Sequence, residues 1–167
     1  MLGFSRDRSG RNTIEFASPG STVAAEADAE ESTDFDSLVT RFPRSGITRL
    51  DPGHVARTHE SFSVRRVPKS EMKTLITGAM RVRSGDVVLA RVDRVRQHTR
   101  LELPSGRKSS LRVGQEIIVA CGNRYASDQF EAFVPDTLGS TNLVASGGIA
   151  GTMTARARGI APATEIT

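Results

Sequence analysis

The stretch GDVVLARVDRVRQHTRLELPSGRKSSLRVGQEIIVACG, residues 85–122, decides the fold. It opens on a Ser-Gly turn and runs into β-branched residues from Val87 to Val95, the composition of a strand. Leu101 and Leu103 then alternate with Arg100 and Glu102. A period of two places both leucines on one face of an extended segment. PSGR, residues 104–107, is a turn in which Gly106 is free to take a positive φ. Segments 99–103 and 108–112 therefore form a hairpin. After a second turn at VGQE, the apolar run EIIVACG reads as a short strand buried on both faces.

Working outward, FEAFVP (130–135) and NLVAS (142–146) are further strands, the first closed by Pro135. The glycine-rich SGGIAG comes next, in which glycines let backbones bend or approach closely; their amides could also cup an anion. On the amino-terminal side, ESFSVRRVP (60–68) reads as an extended segment with Phe62 and Val64 on one face. In PKSEMKTLITGAM (68–80), Met72, Leu75, Ile76, Ala79 and Met80 fall at i, i+3, i+4, i+7 and i+8. That spacing predicts a core-facing amphipathic helix. Residues 44–59, with PRSG and DPGH, read as turns, and a short helix is expected from Asp36 to Phe42. Closely spaced strands with Gly/Pro punctuation point to a mainly β fold, a small, partly open barrel with one covering amphipathic helix. The expected organisation is a disordered acidic tail over 1–40, a barrel-like domain over 41–160, and a linker or frayed end over 161–167.

Composition sets limits on function. Of 167 residues, 37% are hydrophobic, and Trp is absent, so a base-stacking platform has few residues to draw on. No apolar run approaches the roughly 18 residues of a membrane helix, and the first residues lack the apolar core of a secretory signal. One cysteine, Cys121, cannot form an internal disulfide; within an apolar strand it reads as a small hydrophobe. A cytoplasmic location and no membrane association are the expectations. The net charge of +4 conceals an asymmetry: 3 basic and 8 acidic residues over 1–40, 17 and 6 over 41–112, 3 and 5 over 113–167. The middle segment is a candidate basic surface for phosphate, nucleic acid or an acidic protein; exposed strand positions that simply use arginine would give the same count.

The richest polar stretch is GNRYASDQFEAFVP, residues 122–135. Arg124, Tyr125, Asp128 and Gln129, with His98, form the candidate binding set. Arg124 has Asp128 and Glu131 as potential ion-pair partners. The loop either satisfies its own backbone or holds a ligand, and the sequence leaves both open. His54 and His59 lack a third ligand in the sequence, so no metal and no cofactor are expected. No Walker loop and no G-x-G-x-x-G are present, and no nucleophile is visibly paired with His98.

The chain carries two resemblances. GDVVLARVDRV with VGQEIIVA resembles strands of S1-type oligonucleotide-binding barrels, although TRLELPSGRKSSL lacks their exposed aromatics. Over residues 61–167, the run through GNRYASDQFEAFVP, LVASGGIAG and APATEI resembles the amino-terminal domain of an uncharacterised bacterial family. In that family a small β-rich domain precedes a P-loop nucleotide-binding domain. The resemblance implies an accessory half, with a P-loop NTPase as its partner; since the chain lacks visible catalytic side chains, the expectation is a non-catalytic binding or regulatory module and not an enzyme. The alternative expectation is a nucleic-acid-binding module, with Arg91, Arg94, Arg96, Arg100, Arg107 and Lys108 as phosphate contacts. A small enzyme using His98 with Asp128 or Glu131 is a third, and pairing of edge strands leaves a dimer open.

Overall fold

The computed structural model describes residues 45–167; the expected tail over 1–40 and the short helix from Asp36 to Phe42 lie outside the described residues. The described residues are mainly β, as the strand pattern implies. In chain order come β1 (Ser45–Arg49), α1 (Pro52–Arg57), β2 (His59–Glu60), β3 (Thr74–Gly78), β4 (Val87–Arg94), β5 (Arg100–Glu102) and β6 (Lys108–Ser110). Then come β7 (Glu116–Cys121), β8 (Arg124–Tyr125), β9 (Phe130–Phe133), β10 (Thr141–Ala145), β11 (Ile149–Arg156) and β12 (Thr164–Ile166).

Eight strands form one sheet in the order β2-β7-β4-β12-β10-β11-β9-β8. A further parallel pairing of Ile149–Ala150 with Ala120–Cys121 joins β11 back to β7. The strands β7, β4, β12, β10 and β11 thus curl into a ring that closes only along this short seam. Val92, Leu101, Ile117, Val119, Leu143 and Ile166 fill its interior, all with 1% exposure or less. A second cluster around Phe130, Ala132, Val144 and Ala163 lies under the β9–β11 side. β1 pairs with β3, Ile47 opposite Ile76, and β5 with β6, each as a separate two-stranded ribbon.

β7 is covered on both faces, as its apolar run implies. Ile117, Val119 and Cys121 belong to the ring interior, while Ile118 packs with Val55 of α1 and Val64. α1 is the one α-helix among the described residues and lies in a segment expected to be turns. Asp51 caps it, accepting from the N–H groups of Gly53 and His54, and Pro52 occupies the first helical turn.

The helix expected over 68–80 is not there. Lys69–Glu71 make one 3-10 turn and Thr74–Gly78 form β3. The apolar spacing is compatible with a helix, but Gly78 adopts φ +98°, a left-handed conformation outside the helix. The β-branched Thr74, Ile76 and Thr77 suit the strand that β1 is placed to pair with. The extended segment expected at 60–68 is likewise a two-residue strand followed by a 3-10 turn, Phe62–Val64. Arg65 lies over the Phe62 ring at 3.8 Å.

The largest correction concerns residues 161–167, expected as a linker or frayed end. β12 lies between β4 and β10, with Ala163, Thr164 and Ile166 at 1% exposure or less. Its few apolar residues, separated by Pro162 and Thr164, give no period long enough to announce a strand. The position tests directly: Ile166→Ala should cost about 2–5 kcal/mol, the range for a buried Ile truncated to Ala. Urea unfolding measures this, and a change within about 0.5 kcal/mol, typical of surface positions, would contradict the central placement.

A cationic recess between the hairpins

The β4–β5 connection carries Gln97, His98 and Thr99, and its shape is set by β12. Thr164 Oγ1 donates to the His98 carbonyl at 2.8 Å and accepts from the Arg96 N–H at 2.9 Å. The Gln97 N–H donates to Pro162 O at 3.1 Å. The β5–β6 ribbon, closed by the expected turn with Gly106 at φ +78°, presents Arg100 and Lys108. It is tied to the β10–β11 turn by the bond from Glu102 N–H to Ser146 O, 2.8 Å.

That turn is itself fixed. Gly148 has φ +94°, and a Cβ there would collide with the buried Ser61. Here close backbone approach explains the glycine, as one of the two readings of SGGIAG holds. Ser63 donates from its N–H to Gly147 O and from Oγ to Gly148 O. From the far side, the β8–β9 hairpin contributes Arg124 and Gln129. It turns at Ala126–Gln129, with Gln129 N–H donating to Ala126 O at 3.0 Å.

These pieces enclose a recess of ≈ 640 Å³ lined by residues 97–100, Lys108, Arg124, Gln129 and 145–147. Three cations line it, and no carboxylate does. Arg124 donates from Nη2 to Gln129 Oε1 at 3.0 Å. Its Nε is buried and without a hydrogen-bond partner. The His98 ring meets Phe130 edge-on, centroids 5.6 Å apart, and its Nε2 lies 2.9 Å from Val144 O. A carbonyl only accepts, so Nε2 carries the proton and Nδ1 is the free nitrogen of a neutral ring. Burial, together with the Arg124 charge, holds the His98 pKa below 6.5 against the opposing effect of the Val144 bond.

The expected binding set thus divides. His98, Arg124 and Gln129 converge on the recess, whereas Tyr125 and Asp128 do not line it; Tyr125 is 80% exposed. Arg124 engages Gln129 and has no ion pair with Asp128 or Glu131 among the described residues. The phosphate-contact set divides as well. Arg91 pairs with Asp93 at 3.2 Å, and Arg94 and Arg96 pair with Glu165 at 3.8 and 2.7 Å. Arg100 and Lys108 turn to the recess, and Arg107 stands in the ribbon's turn outside it. The sequence carries no signal for Gln97 and Thr99, whereas Ser146 and Gly147 belong to the glycine-rich SGGIAG, whose amides could cup an anion.

Elsewhere, His54 Nε2 bonds Glu116 Oε2 at 2.7 Å, and His59 Nδ1 meets the Gln115 amide. Cys121 is buried among the core residues, its thiol pushed up to about 11 chiefly by burial, with Asp86 adding to it. Among the described residues no helix is long and apolar enough to cross a membrane. Fold and site together define a partly open β-barrel with a cationic recess on one side. Compared with protein-family models, with curated proteins and with solved structures, the chain matches none.

The His98 environment has a measurable consequence. In an NMR titration its imidazole should titrate below 6.5, and Arg124→Gln should raise that midpoint, because one of the two depressing influences is gone while burial persists. A folded-state pKa below the unfolded one makes stability fall as pH drops through 6.5 towards the folded value. A His98 midpoint at or above 6.5 would contradict this geometry.

Proposed function

We propose that this domain is a non-catalytic binding module whose working surface is the cationic recess, and that it holds an anionic group there. The observation that carries this is the convergence of Arg100, Lys108 and Arg124, from three different strands, on one recess without a carboxylate in its lining. Three like charges with no carboxylate beside them give the recess a positive potential that an anion would balance. The arginine and glutamine side chains from β8–β9 offer planar donors suited to oxyanions. The N–H groups of Ser146 and Gly147, on the recess wall, bond to no described backbone carbonyl. The reading stands apart from the P-loop partner implied by resemblance.

Nucleic acid is the weaker fit. An extended phosphate backbone needs a run of available cations, and Arg91, Arg94 and Arg96 are each within 3.8 Å of a carboxylate. Titrating the full chain with inorganic phosphate and following backbone NMR signals tests the choice. Shifts should cluster at residues 97–100, 108, 124, 129 and 145–147. Replacing Arg100 and Arg124 together by Gln should weaken binding at least about tenfold, roughly 1.4 kcal/mol, while Arg107→Gln changes it little. Shifts confined to other surfaces, or equal weakening by Arg107→Gln, would sink the assignment. Oligonucleotide binding that depends on Arg91, Arg94 and Arg96 would favour the nucleic-acid reading.

A further inference from the structure

We infer that the recess takes the phosphoryl group of a small phosphate monoester, with one proton held between a phosphoryl oxygen and His98 Nδ1. This rests on the recess being an anion site, and it names the ligand class. The first observation is the division of labour on the histidine ring. Nε2 is committed to Val144 O, and Nδ1 bonds to no described residue. A neutral Nδ1 presents a lone pair, which repels an oxyanion lacking a proton. An anion beside His98 therefore either brings a hydrogen to donate or binds as His98 takes one up. Both routes give the same complex, with one proton more than the separate partners at high pH.

Phosphate monoesters fit this condition because their second ionisation lies near about pH 6. The groups facing His98 support the balance. Arg124 approaches from β8, Arg100 from β5 and Lys108 from β6, and no carboxylate lines the recess. The cations neutralise the phosphoryl charge, while in the free protein burial, with the Arg124 charge adding to it, disfavours a charged imidazole. The second observation is size. At ≈ 640 Å³ the recess exceeds one phosphate and lies within the range of small-molecule sites, about 300–1,000 Å³. Gln97, Thr99, Gln129 and Ser146 line the remainder with neutral polar groups, suited to a hydroxylated substituent.

Calorimetry of the full chain with glycerol 3-phosphate at pH 8, in two buffers of different ionisation heat, counts the protons taken up. The expected result is close to one proton per ligand bound, with affinity falling about tenfold per pH unit above neutrality. Glycerol 3-phosphate should bind more tightly than inorganic phosphate; equal or weaker binding would reassign the ligand to free phosphate and overturn the ester. His98→Gln should remove the proton uptake while keeping binding that depends on Arg124. If that variant does not fold, the wild-type proton count decides alone. Monoester binding with no proton uptake overturns the inference and leaves the anion site standing. Unchanged uptake in His98→Gln overturns it too, by placing the proton elsewhere. No binding of either phosphate or sulfate overturns both.

Discussion

The structure depends on the double-sided burial of β7. Its three central residues, Ile117, Ile118 and Val119, are each at 4% exposure or less, and burying each contributes about 1.5–3 kcal/mol. The strand is also hydrogen-bonded along both edges. β4 pairs with it antiparallel over five residues, while β2 and β11 share the other edge as short parallel partners. A strand with both faces and both edges occupied permits little freedom of register, since a one-residue slip would exchange Ile118 with its neighbours and strip both packing faces. β7 therefore locates the ring seam on one side and the α1 cover on the other.

That constraint also explains which parts of the fold were legible in the sequence. Segments with a strong local signature read correctly. The β-branched run of β4, the alternation around Leu101 and the continuous run of β7 each have a periodicity that tertiary context does not reverse. Segments that depend on a partner did not. Residues 72–80 carry a helical spacing, yet a strand forms because β1 lies within pairing reach and Gly78 turns left-handed. Thr164–Ile166 are too short to declare themselves, and become central only because β4 and β10 leave an unpaired edge between them. α1 had a readable start in Asp51-Pro52, but six residues are too few for an apolar stripe to show.

The candidate site was legible only by composition. GNRYASDQFEAF signals a polar loop, but proximity in sequence misled about proximity in space. Tyr125 alternates with Arg124 along β8, so neighbours in the chain point to opposite faces. The recess instead gathers residues from positions 97 to 147, and no local pattern encodes a meeting of that span. Its geometry is inherited from the core. Thr164 is fully buried, and its hydroxyl bonds both sides of the turn that carries His98. The carboxylate of the next residue, Glu165, meanwhile draws Arg94 and Arg96 away. One short strand thereby shapes the recess and decides which arginines are left for it.

This coupling leaves a local cost at the recess. Arg124 lies beside a neutral imidazole with its Nε buried and unbonded, in the company of Arg100 and Lys108. A buried donor without a partner costs about 1–3 kcal/mol, and the like charges of Arg100 and Lys108, both exposed and screened by solvent, add little to that. The remainder of the fold must offset the sum, which the two-sided packing of β7 and the insertion of β12 are placed to do.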